Sequence, residues 1–389
     1  MVFERDIDLI KDIVLGRDLS FAGLDRLRVA DSLQTLNNAN LPHDAFLLTA
    51  MRSLALTRNG HTRLVPNAAI RIHPVRFVAL GSGIYLTAAP SVYQACQDMP
   101  LVAINDVAIE DVFARFEPYL AGNMQRQRVI GALLLAWPAA LNAVEVVRQG
   151  RDVTYTFQPT DSTQKTVTMV QHDLVPGQDL YPYFEQGQLQ ASEKNPICHR
   201  TMPSDVTYIA FPDFIDTREH TLEADVARAV QSITKHPDHD WVVDVRGNPG
   251  GSFLWSLPFV EALKTQWRGK RCAVLTDKFT FSAGIVFVAL LKHALADRLT
   301  IIGEGMGDNL QFFAEGGLQD LPDTGAMIRY SDAFHDWQTG TAHPSTPDII
   351  AQHLVGVGGL TPDVTVDISA THKRHGRDPQ FEAALSALL

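Results

Sequence analysis

Cysteine is scarce in this chain of 389 residues: Cys96, Cys198 and Cys272 are the only three, they show no paired spacing, and their number is odd. A disulfide framework or a Cys-rich zinc site is not expected from such a set, and all three read as small buried hydrophobes. Dense Lys/Arg runs are missing as well. With 33 basic against 44 acidic residues the net charge is −11, and an acidic surface of that kind repels nucleic acid and anionic membranes rather than wrapping them. No apolar stretch reaches the ~18 residues that spanning a bilayer requires, and the charged opening Glu4, Arg5, Asp6 is unlike a signal peptide. As it stands the sequence reads as soluble and cytoplasmic; an exported protein whose leader had been removed would read the same. His-Glu-x-x-His, P-loop and dinucleotide fingerprints are also lacking, so no cofactor is expected.

What is present is ordinary globular material, 46% hydrophobic and 20% charged, enough for about two to three domains. Residues 7–14, 24–36 and 43–56 carry apolar side chains at helical spacing. From residue 70 the texture turns to short strands at 75–80, 83–87 and 101–104. A helix follows at 109–119 and another at 126–136, and then an alternating hairpin is expected from 144–149 and 153–157 around Gly150. Residues 161–203 are polar and weakly patterned. Beyond them strands at 206–211, 241–245, 272–275 and 299–302 alternate with helices at 222–234, 253–265 and 283–296, which predicts a largely parallel sheet covered on both faces. The expected division is a helical N-terminal region over 1–65, a β-rich domain with a helical insertion over 66–160, a connector over 161–203 and an α/β core over 204–389.

Three short segments could carry chemistry. Arg246-Gly247-Asn248-Pro249-Gly250-Gly251 follows a buried strand and precedes a helix; adjacent glycines there let backbone N–H groups approach an anion, although a tight turn is the simpler reading. Ser282, in Thr280-Phe281-Ser282-Ala283-Gly284, stands before an apolar helix. It reads either as a helix cap or as a nucleophile whose oxyanion the helix N-terminus favours. His61, in Asn59-Gly60-His61-Thr62, is presented from a turn after a helix, and as one of 14 histidines it gains meaning only with the other two. The loops around His236 to Asp240 and Asp332 to His343 hold ligand-type side chains but read as solvated turns, so no metal is expected.

Taken in order, these segments with Tyr208-Ile209-Ala210-Phe211, Ile302-Gly303-Glu304-Gly305 and Thr361-Pro362-Asp363-Val364 resemble the C-terminal processing peptidase and tricorn protease family of serine peptidases. The tail Gly376-Arg377-Asp378-Pro379 is similar to the ending of a bacterial branch of it. The resemblance implies an α/β fold, with a crotonase/ClpP-like ββα spiral core, a PDZ-like β-rich domain and a helical N-terminal region. It implies Ser282 as nucleophile and an oxyanion hole from Gly250, Gly251 and Ala283. A Ser-Lys dyad is disfavoured: the lysine expected roughly 25 residues after the serine has no counterpart near Gly307, and Lys292 lies about 15 Å along the same helix at 1.5 Å per residue. The tricorn-like branch takes its base from a histidine placed as His61 is, and imidazole suits a proton shuttle near neutral pH. Departures are Ile285 and Asn59, where the family often has acids, and Val355-Gly356-Val357-Gly358-Gly359, where it has the acid that orients the histidine. Asp348 is the expected substitute, with Asp336 or a backbone carbonyl as alternatives.

The implied activity is peptide-bond hydrolysis through an acyl-enzyme, on peptides or unfolded chains, with the catalytic site at the junction of the regions carrying His61 and Ser282. A homo-oligomer is compatible with all of this. The rival readings are an inactive relative acting as a peptide-binding module and a crotonase-type acyl-CoA enzyme, which would not need His61 and Ser282 together.

Overall fold

The computed structural model describes residues 3–37, 41–66, 69–148, 150–158, 165–169, 174–177, 197–202, 205–217, 221–370, 372 and 375–389. By contacts the chain divides into two units: Met1–Phe184 with Phe312–Phe334 and Ser369–Thr371, and Glu185–Gln311 with His335–Ile368 and His372–Leu389. No helix among the described residues is long and apolar enough to cross a membrane.

Unit 1 begins with the helices Glu4–Asp12, Arg26–Leu36 and His43–Ala55. The second buries Val29, Leu33 and Leu36, an i, i+4, i+7 stripe, and Asp25 caps it by accepting from Leu27 N. The third returns the chain to strand Arg63–Val65, which pairs antiparallel with Met327–Tyr330, itself paired with Gly317–Asp320. Buried Asp6 anchors this distant segment by accepting from the N–H groups of Asp323 and Thr324 and from the Thr324 hydroxyl. A four-stranded sheet runs in the order Val107–Ala108, Leu101–Ile104, Val153–Phe157, Lys165–Met169. Of residues 144–149, expected as the first arm of a hairpin, Gln149 lies outside the described residues and 144–148 form turns and bends instead. Their valines, Val144, Val146 and Val147, are buried, and the real partners of Val153–Phe157 are Leu101–Ile104 and Lys165–Met169. Alternation at 144–149 therefore reported burial under a turn, not pairing.

Unit 2 is built on a six-stranded sheet ordered Cys198–Met202, Val206–Ala210, Asp240–Asp244, Cys272–Thr276, Leu299–Gly303, Val364–Thr365; the first pair is antiparallel and the rest are parallel. The helices Glu223–Lys235, Leu257–Thr265 and Ala283–Leu295 are the crossovers. On one face Trp241 and Phe211 meet Phe259 and Phe287. On the other, Val242, Ala273, Leu275 and Ile302 lie under the C-terminal helix Pro379–Leu388 through Phe381, Ala384 and Leu388. Cover on both faces explains why these strands read as unbroken apolar runs.

Candidate active site

Ser282 sits where the chain turns from strand Cys272–Thr276 into helix Ala283–Leu295, and the turn is held by one carboxylate. Asp277 Oδ1 accepts from the N–H groups of Gly247 (2.9 Å), Phe279 (3.0 Å) and Thr280 (3.0 Å). The Thr280 hydroxyl donates to Val245 O at 2.9 Å. Asp277 thus stitches the glycine segment to the serine segment, which lie far apart in sequence. Its other oxygen, Oδ2, is buried without a partner among the described residues. Burial pushes the Asp277 carboxyl up to about 6, against the Gly247 N–H, which pulls it down.

Beyond that turn Phe281 N donates to Asn248 O at 2.9 Å, and Ser282 takes φ 54°, ψ −124°, a backbone conformation costly for a side chain with a Cβ. Ala296, at the other end of the same helix, has φ 48°, ψ −120°, so strain alone does not mark a nucleophile. What separates Ser282 is its hydroxyl, which makes no cap bond to the helix it begins. The reading of this serine as a cap is thereby lost.

The glycine pair explains the room around it. Gly250 and Gly251 have φ 109° and 119°, where a side chain would be strained. A Cβ on Gly250 would stand 2.6 Å from Ser282 Cβ and 3.1 Å from Ala283 N; one on Gly251 would stand 2.1 Å from Phe214 O. The segment is pinned by Asn248, whose Nδ2 donates to Phe211 O at 2.9 Å and whose Oδ1 accepts from Gly250 N at 2.8 Å. The Gly250 N–H is thereby engaged. Gly251 bridges Phe214 in a parallel register carried by Phe214 N to Gly250 O and Ser252 N to Phe214 O, which turns the Gly251 N–H to the opposite side. Among the described residues of unit 2 neither the Gly251 nor the Ala283 N–H is given to an acceptor.

His61 belongs to unit 1, where it is buried (2% exposed) and stacks on Phe312 with ring centroids 5.2 Å apart. Its turn rests on a buried polar network. Thr62 Oγ1 donates to Asp18 Oδ2 at 2.7 Å, Asn59 Nδ2 donates to Thr62 Oγ1 and Ser331 Oγ, and Asp18 also accepts from Ser331 N and from the N–H and hydroxyl of Ser20. Burial raises the Asp18 carboxyl despite the hydroxyls of Ser20 and Thr62, which lower it. Asn59, a departure from the family pattern, earns its place here as a linker with both donor and acceptor: its Oδ1 takes the Phe313 N–H.

Asp348, the expected orienting acid, opens the short helix Asp348–Ala351 in unit 2 and is exposed. Asp336 is buried in the same unit, and its oxygens accept from Thr339 N, Thr339 Oγ1 and Gln311 Nε2. Burial raises its carboxyl, but the Thr339 and Gln311 donors outweigh that and leave it below the ordinary range. Sequence reasoning passed over two further features of this unit. Lys278, four residues before Ser282, is buried and its ammonium meets Glu304 Oε2 at 2.8 Å. Arg246 is clamped by Asp244 on one side and by Asp378 and Gln380 of the tail on the other. Only the Gly-Arg-Asp-Pro tail signalled the second. Among the described residues no group of three or more His, Cys, Asp or Glu could hold a metal ion.

No protein-family model matches the chain, and no curated protein matches it by sequence. Solved structures do match. Mature CPAF complexed with lactacystin aligns over 100% of this chain and 98% of its own, at TM-score 0.62 and 12% identity. A mutant of CPAF aligns over 96% and 95%, at TM-score 0.55 and 12% identity. Tricorn protease also aligns, over 99% of this chain and 36% of its own, at TM-score 0.41 and 11% identity. CPAF and tricorn protease are peptidases of the C-terminal processing/tricorn family. The chain shares the fold of CPAF along its whole length, and its structural neighbours are members of that peptidase family.

Proposed function

We propose that this protein is a serine peptidase of the C-terminal processing/tricorn kind, of the branch that pairs serine with histidine. The observation that carries the reading is Ser282: a strained residue at a helix N-terminus whose hydroxyl does not cap the helix, packed on a glycine that leaves space beside it. In this reading Ser282 Oγ attacks the carbonyl carbon of a peptide bond while His61 accepts the hydroxyl proton. The Gly251 and Ala283 N–H groups donate to the oxyanion, and Gly250 supplies the room it needs. The C–N bond then breaks, His61 passes the proton to the leaving amine, and water hydrolyses the acyl-enzyme by the same route. Asp348 is the candidate to orient His61. The sheet of unit 2 is read as the crotonase/ClpP-like core and the four-stranded sheet of unit 1 as the PDZ-like part. Peptides and unfolded chains are the substrates.

Labelling with a fluorophosphonate probe tests this. The wild type should be modified at Ser282, Ser282→Ala should not be, and His61→Ala should be labelled at least about a hundredfold more slowly. Hydrolysis of unfolded casein should follow the same order. Folded protein that neither labels nor cleaves would leave a binding module in place of an enzyme.

A further inference from the structure

Unit 1 holds a cavity of about 1080 Å³ whose lining has no part in the chemistry above: Ser282, Gly250, Gly251 and His61 are all absent from it. Among the described residues six arginines line it, Arg28, Arg52, Arg58, Arg71, Arg148 and Arg151, against three acids. That is an excess of positive charge on a protein whose net charge is −11.

Pairing inside the cavity does not cancel the excess. Glu117 meets Arg58 at 3.4 Å, with both side chains more than half exposed. Asp44 is taken by His43 at 3.0 Å and by the Trp137 indole N–H at 3.1 Å. Arg71 donates to the carbonyl of Leu174. The side chains of Arg28, Arg52 and Arg148 make no hydrogen bond or ion pair among the described residues, and of the three acids only Asp31 has a side chain likewise unpaired there. Guanidinium groups left unpaired around a concavity are suited to carboxylates.

The rest of the lining narrows the ligand. Leu48, Leu56, Leu120 and Val147 contribute apolar surface between the arginines. The volume lies just above the ~300–1000 Å³ common for small-molecule pockets. Among the described residues a single glycine, Gly150, lines it, so they form no glycine-rich cradle for a phosphate. The overall negative charge opposes a nucleic acid. An extended peptide with acidic side chains spaced among apolar ones meets both kinds of lining.

We infer that this cavity is an exosite that binds acidic segments of polypeptide substrates and so selects them for cleavage. The inference rests on the peptidase reading for the role of the bound chain, and on the cavity alone for its binding. The test uses full-length protein carrying Ser282→Ala, so that the probe survives, and fluorescence polarisation of a labelled peptide of glutamates interspersed with leucines. Its glutamine counterpart should bind at least about tenfold more weakly, added salt should weaken the glutamate peptide, and the triple charge reversal Arg28→Glu, Arg52→Glu, Arg148→Glu should weaken it by at least about tenfold. In the background with Ser282 intact the same reversal should leave fluorophosphonate labelling unchanged and slow cleavage of acidic substrates selectively. Equal binding of the two peptides, unchanged binding to the triple variant, or displacement by inorganic phosphate at the concentration of the peptide would overturn the exosite. Acidic-peptide binding that responds to the reversal, in a protein that never labels or cleaves, would overturn its role in substrate selection and the peptidase reading with it.

Discussion

A methyl group is enough to test the packing at Ser282. Gly250→Ala places a Cβ 2.6 Å from Ser282 Cβ in a backbone at φ 109°, so either the serine or the glycine segment must shift. In the peptidase reading a displacement by about 1 Å costs catalysis about a hundredfold, and the strained backbone costs about 1–3 kcal/mol. Casein hydrolysis and urea unfolding should show both losses, and full activity in the variant would remove the close contact from the account. Asp277 supplies a second test at this scale. Its folded-state pKa of about 6 lies above the 3.8 ordinary for an aspartate, so the native state binds the proton more tightly. That stabilisation is fully present below about pH 4 and disappears as pH rises through 6. Relative to Asp277→Asn, the wild type should therefore lose up to about 3 kcal/mol between pH 4 and 7. Denaturant unfolding of both proteins across that range measures it, and parallel profiles would show that Asp277 titrates normally.

Among elements, the turn 59–62 shows how a candidate site residue is held by side chains far from it in sequence. Asp18 accepts four hydrogen bonds from Ser20, Thr62 and Ser331, and nothing in the local pattern of any of these segments announces the network. An asparagine at position 18 would turn a donor toward groups that are themselves donors. Asp18→Asn should cost about 1–3 kcal/mol, and in the peptidase reading it should lower kcat with little change in KM, because His61 is misplaced while the substrate-binding surface is not. A change in KM alone would assign Asp18 to binding. The parallel strands, by contrast, were legible from the sequence, since continuous apolar runs separated by helical periods have few other solutions. The mistaken arm at 144–149 has the opposite cause: burial beneath a turn imitates strand alternation when the pairing partners are not yet known.

On the scale of the whole molecule, the chain weaves. Strand Arg63–Val65 completes a sheet with Met327–Tyr330, and the C-terminal tail returns to the strand that leads into Gly250. Asp378 Oδ1 and Oδ2 accept from Arg246 at 2.9 and 2.7 Å, across 132 residues. Asp378→Ala should destabilise the protein by about 1.5–3 kcal/mol, the range for losing hydrogen bonds to a charged group. In the peptidase reading it should also reduce activity, because Arg246 loses two of its five side-chain hydrogen bonds; calorimetry and casein hydrolysis report the two effects, and an unchanged Tm would show that the tail is dispensable. By itself the sequence determined the alternation of strands and helices in unit 2, the helical start, and the candidates Ser282, His61 and the glycine pair, because periodicity and short motifs are local properties written within a few residues. Only the tertiary structure decided that the Ser282 hydroxyl does not cap its helix, that the Gly250 N–H is already given to Asn248, and that Asp18, Asp277 and Asp378 hold the segments in place. Each of those depends on which distant groups a fold brings within hydrogen-bond reach, and residue type alone carries no record of its partner.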